Sequence, residues 1–107
     1  MATRKGQVLA ALKRTGEAPK DIICFYQNHV GNVWDGESGS YPIIRCSVEE
    51  LPAREFYAGF GGVEGEPFIG FGPKYVYICV QYDGSEGVQA IPRNPENTDY
   101  IPWPGGG

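Results

Sequence analysis

The chain has 107 residues, 41% apolar and 13% aromatic, with 9 basic against 13 acidic side chains and a formal net charge of −4. A chain of this size supports one core and excludes two domains with a cleft between them. It has no apolar run near the roughly 18 residues of a membrane span, and its start lacks the apolar stretch of an export signal. The expectation is therefore a cytoplasmic protein without membrane association.

The first predicted element is a helix over residues 3–15. Val8, Ala11, Leu12 and Thr15 follow the spacing of one helical face, with Leu9 widening the stripe. Thr3 is placed to cap its start, and Gly16 and Pro19 to end it. From Asp21 to Asn28 a β-branched and aromatic run predicts an interior strand. The following stretch contains Gly-Asn, Asp-Gly and Ser-Gly pairs, which predict a hairpin with a long tip, and Tyr41 to Cys46 is the returning strand.

Ser47 and Glu50 have capping-box spacing, but Pro52 interrupts any ladder beyond them. A single turn, or a short helix restarting at Pro52 and ending before Gly59, is expected there. Residues 57–73 are dense in glycine and phenylalanine, and read as a bending segment whose Phe60, Phe68 and Phe71 fill the core. Lys74 to Tyr82 is the strongest strand signal, and its low charge argues for a central place in the sheet. A turn at YDGSEG then folds Val88 to Ile91 back beside it. The fold class is α+β: one mainly antiparallel sheet of about four or five strands, an N-terminal helix and a short second helix. Residues 1–96 form the single domain, and 97–107 an extended Pro/Gly-rich tail.

Candidate chemistry is thin. Cys24, Cys46 and Cys79 are odd in number and widely spaced, which points to free thiols rather than a metal site or a disulfide framework. A single histidine, His29, excludes a metal site built on two imidazoles. A Cys–His couple of Cys24 or Cys46 with His29 would need a thiol at a strand end in an electropositive setting, and Cys24, only five residues from His29, falls mid-strand. The glycine-rich segment does not spell a phosphate loop, because G-x-G-x-x-G from Gly59 or Gly70 meets Glu64 or Tyr75 where glycine is required. The three final glycines resemble the flexible ends of ubiquitin-like and sulfur-carrier proteins, but only in those residues, and the preceding Pro-Trp-Pro is stiff. No cofactor or metal is implied.

Charge and aromatics carry what functional signal there is. Through Lys20 the chain has five basic residues and one acid; from Asp21 onward it has four basic residues and twelve acids. The leading expectation is a non-enzymatic, acidic protein-interaction module that docks on a protein with a basic surface, as a phage accessory inhibitor of a nucleic-acid-binding host protein would. Its contact residues would be Trp34, Asp35, Glu37, Glu49, Glu50, Glu64, Glu66 and Trp103, since aromatic rings make rigid contacts and acids steer a basic partner. A small-ligand pocket or compact enzyme site near His29 and residues 57–73 is the alternative. Nucleic-acid binding through Arg4, Lys5, Lys13 and Arg14 comes third, disfavoured because the acidic body repels phosphate. Association of the chain with itself stays open.

Overall fold

A computed structural model describes residues 2–28, 41–57, 59, 65–82 and 85–94, with Tyr82 described by its backbone. Helix α1 spans Arg4–Thr15, and five strands follow: β1 Ile23–Tyr26, β2 Ile44–Cys46, β3 Phe68–Phe71, β4 Tyr75–Tyr82 and β5 Ser85–Pro92. They form one fully antiparallel sheet in the order β2-β1-β3-β4-β5. Short 3-10 turns occupy Pro19–Asp21 and Val48–Glu50.

The helix starts and stops where its sequence dictates. Thr3 accepts the Gly6 N–H at 2.9 Å, and Gly16, at φ 81°, closes the last turn by donating to the Leu12 carbonyl at 2.8 Å. A left-handed residue favours glycine because a Cβ would crowd the following carbonyl. Val8, Ala11 and Leu12 are buried, whereas Leu9 is 38% exposed beside an open groove of about 640 Å³ between the helix and Pro19. The apolar stripe is thus one residue narrower than its sequence suggests.

Cross-strand register puts Cys24, Gly70, Tyr77 and Ala90 in one row on the side facing α1, next to Tyr26 and Phe68, with Val88 paired to Cys79. These side chains, the helix stripe, Ile22, Val48 and Leu51 make the core. All three cysteines are free thiols, with Cys24 fully enclosed.

Strand β3 is the main departure from the sequence-based expectation. The segment read as a bend supplies the strand between β1 and β4, and only Phe68 of its described rings is buried. Gly70 makes this placement fit, because an added Cβ there would lie 2.8 Å from Phe68 Cζ and 3.5 Å from Ile22 and Tyr77. No helix restarts at Pro52. After the 3-10 turn, in which the Ser47 N–H and hydroxyl both bond Glu50 Oε1 at 2.9 and 3.0 Å, the chain runs extended to a bridge between Phe56 and Ala2.

The edge strand β5 is partly closed by the helix. Gln7 Nε2 donates to the Glu86 carbonyl and Arg14 Nη2 to the Val88 carbonyl, both at 3.0 Å. Pro92 ends the strand where a missing N–H costs least, while the next N–H, of Arg93, bonds the Lys74 carbonyl at 2.8 Å.

Candidate functional site

On the face of the sheet turned away from α1, strands β1, β3 and β4 are apolar, β2 brings Arg45, and β5 brings Ile91 together with Gly87 and a buried Gln89. Alternation along the strands sends Ile23 and Phe25 of β1, Ile69 and Phe71 of β3, Val76, Ile78 and Val80 of β4, and Ile91 of β5 to this side. Ile23, Ile69 and Ile91 are 41%, 36% and 38% exposed, and nearby Ile43 reaches 70%. A surface stripe of this kind is unusual where a sheet simply faces water, because such faces normally alternate to polar residues.

Two arginines bracket the stripe. Arg45 lies opposite Phe25 in register, and the Arg93 guanidinium sits over the Phe71 ring, 5.8 Å from its centroid, while Arg93 Nε donates to the Gly72 carbonyl at 2.8 Å. Phe71 in turn meets Phe25 edge to face, 5.9 Å between centroids. The described strand residues of this face include no carboxylate. At one end an open groove of about 370 Å³ is lined by Phe25, Tyr26, Gln27, Ile43, Pro67, Phe68, Ile69 and Phe71.

No known family, curated protein or solved structure matches this chain.

The groove adjoins the region where a ligand pocket was expected, between residue 27 and residues 67–71. Of its lining residues Tyr26 alone carries an ionisable group, so it can hold an apolar group and offers no acid–base pair. His29, Phe60 and Glu64 lie outside the described residues, as do Trp34, Asp35, Glu37 and Trp103. Cys24 is badly placed to attack a substrate arriving from solution: it is fully enclosed, and burial, reinforced by Cys46, pushes its thiol up to about 12. Burial also raises Cys46 and Cys79. Among the described residues no cluster of three His, Cys, Asp or Glu could hold a metal ion, and no helix is long and apolar enough to cross a membrane.

The remaining expected contact residues separate. Glu49 and Glu50 share the exposed turn after β2, with the Lys5 ammonium 3.6 Å from Glu49 Oε2. The Ser47 N–H, with its hydroxyl, holds the Glu50 carboxyl below the usual carboxylate range. Glu66, grouped with them as a surface acid, is instead inside the protein at 3% exposure, where Oε2 accepts from Arg54 Nε at 3.1 Å. Glycine at 65 leaves room for the Arg4 guanidinium and the Phe56 ring, and Arg4 and Arg54 both lie against that ring. Arg4 itself is 1% exposed, Lys5 bonds the Glu49 carbonyl and Arg14 bonds β5, so these cations of the basic helix are engaged on the body of the protein.

The open face depends on β3, which the surrounding glycines and prolines disguise in the sequence. Its signal lies in Phe68-Ile69-Gly70-Phe71, where alternation sends Phe68 and Gly70 to the core and Ile69 and Phe71 outward.

Proposed function

We propose that this chain is a non-enzymatic protein-interaction module and that its open sheet face receives an apolar segment of a partner protein carrying a carboxylate set against Arg45 or Arg93. The observation that carries this reading is the apolar row across β1, β3, β4 and β5, bracketed by two exposed arginines and no described carboxylate. Covering such a face releases about 25 cal/mol for each Å² of apolar surface withdrawn from water. A guanidinium already stacked on an aromatic ring is pre-oriented for a planar carboxylate.

A second, charge-led reading has Glu49 and Glu50 meeting a basic partner, such as a nucleic-acid-binding protein that the chain would inhibit. It is favoured by one observation: the two acids share a turn, and the Glu49 side chain is 80% exposed. Most other described acids are occupied internally, since Glu17, Glu66 and Glu86 all accept hydrogen bonds within the fold.

The test compares the wild type, Ile69→Asp and the Glu49→Lys/Glu50→Lys double variant. Each is used to capture protein from a lysate of the source cells, and the captured protein is purified and titrated against all three. Docking on the sheet face predicts at least a tenfold loss for Ile69→Asp, about 1.4 kcal/mol, with little effect of the charge reversal or of added salt. Loss in the double variant alone, with strong salt dependence, would instead establish the charge-led reading. Unchanged binding in every variant would overturn both. Circular dichroism confirms that each variant keeps its sheet.

A further inference from the structure

Cys24 on β1 and Cys46 on β2 are direct cross-strand partners whose side chains both turn to the α1 side of the sheet. Their spacing follows from the hydrogen-bond pattern. The Gln27 N–H bonds the Pro67 carbonyl on the β3 side of β1, so by alternation Cys24 points its main-chain groups the other way, at β2. Cys24 and Cys46 are therefore a hydrogen-bonded antiparallel pair, with Cα atoms about 5.5 Å apart. A disulfide accepts Cα separations of roughly 4.4 to 6.8 Å.

We infer that Cys24 and Cys46 form a reversible cross-strand disulfide, and that this pair is a redox-modification site of the protein. Cβ atoms in a hydrogen-bonded pair stand toward 5.5 Å, about 1 Å beyond the widest relaxed disulfide and about 1.7 Å beyond the typical one, so closure pinches the strands together. β2 is an edge strand of three residues and can shift to allow this. The resulting strain makes the bond easier to reduce than a structural disulfide, which suits a bond that opens and closes.

Accessibility orders the steps. Cys46 is partly exposed and Cys24 fully enclosed, so an external oxidant meets Cys46 first. With oxidised glutathione, the Cys46 thiolate attacks one sulfur and expels one glutathione thiolate, leaving a mixed disulfide on Cys46. Cys24, held beside it, then attacks Cys46 Sγ and expels the second glutathione. Two protein thiols are oxidised, one glutathione disulfide is reduced to two glutathione molecules, and the two thiol protons pass to them. Burial slows Cys24 toward reagents in solution, but its neighbour sulfur is presented at a high effective concentration. Cys79 on β4 is separated from β1 by the whole of β3 and has no such partner in register.

The full-length chain is incubated in glutathione buffers of rising oxidised fraction, quenched with iodoacetamide and mapped by mass spectrometry without reduction. The expected product has lost two hydrogens and gained a single carbamidomethyl group, at Cys79, carries a Cys24–Cys46 cross-linked peptide, and reopens with dithiothreitol. Cys46→Ser should abolish it and Cys79→Ser should leave it intact. A wild-type chain that stops at the Cys46–glutathione adduct, alkylates at all three thiols or cross-links through Cys79 would overturn the inference. Both serine variants change partly exposed positions, so folding can be verified independently by circular dichroism.

Discussion

Arg4 Nη2 lies 3.0 Å from Glu86 Oε1, joining the first turn of the helix to the last strand with side chains only 1% and 3% exposed. The same guanidinium donates through Nε to the Glu66 carbonyl at 2.8 Å and through Nη1 to Gln7 at 2.7 Å, while Glu86 Oε1 also accepts the Gly65 N–H. Removing one charge of such a pair strands the other in the interior, which costs about 3–5 kcal/mol. Small domains have only about 5–15 kcal/mol in total. Arg4→Met and Glu86→Gln should each lower the urea midpoint sharply. Replacing both with apolar residues should destabilise by less than the sum of the single effects. Equal and additive losses in a double-mutant cycle would show that the two side chains do not act together.

Alkali should destabilise the protein through two buried weak acids. Tyr77 is fully buried and donates to Glu17 Oε1 at 2.6 Å; burial first, then that carboxylate, pushes its phenol upward. The Cys24 thiol moves from 9.0 to about 12. Both groups stay protonated in the fold at a pH where the unfolded chain has released the proton, so the unfolded state binds fewer protons and stability falls as pH rises. The loss should begin near pH 9 from Cys24 and near pH 10 from Tyr77, each with a limiting slope of about 1.4 kcal/mol per pH unit. Urea midpoints under reducing conditions at pH 8, 9.5 and 11 read this directly. Tyr77→Phe and Cys24→Ala should each flatten the curve, and identical curves would disprove the assignment.

How much of this could be seen in the sequence depends on whether one signal decided the outcome. Thr3, Gly16 and the Val8, Ala11, Leu12 stripe fix α1 by local rules, and the alternation of β4 together with its low charge puts it inside the sheet. Phe68–Phe71 was hidden because glycine and proline around it weigh toward a loop, whereas tertiary contact selects Gly70 for its missing side chain. Burial of Arg4, Glu66 and Glu86 was equally hidden, since charged residues go inside only when partners from distant parts of the chain arrive together. The open apolar face follows from pairing β3 between β1 and β4, and could not be read before that pairing was known.

Gly70→Ala measures that tertiary demand. The added methyl would press on Phe68, Ile22 and Tyr77 at the centre of the sheet, and overpacking of this kind costs about 1–3 kcal/mol. A loss in that range by chemical denaturation is expected, with a Phe68→Leu second change recovering part of it by clearing the nearest ring atom. If Gly70→Ala proved neutral or stabilising, as a glycine in an unconstrained strand can be, close approach would not be the reason for glycine there.

Arg14 and Gln7 bear on whether β5 stays a free edge. Their bonds to the Val88 and Glu86 carbonyls occupy acceptors that a strand from another molecule would use to extend the sheet. A bond from a charged donor contributes about 1.5–3 kcal/mol when well formed, and the exposure of Arg14 brings this one below that range. Arg14→Ala should therefore cost about 1 kcal/mol or somewhat more. The more telling effect is on association: the uncovered Val88 carbonyl, in an eight-residue strand, becomes an acceptor for a second chain. Sedimentation velocity over a concentration series should show Arg14→Ala/Gln7→Ala associating at concentrations where the wild type keeps a lower mass. Ile69→Asp, which alters the open face and leaves this edge untouched, should not share that behaviour. If the double variant sediments as the wild type does, the two side chains stabilise the helix docking without guarding the strand.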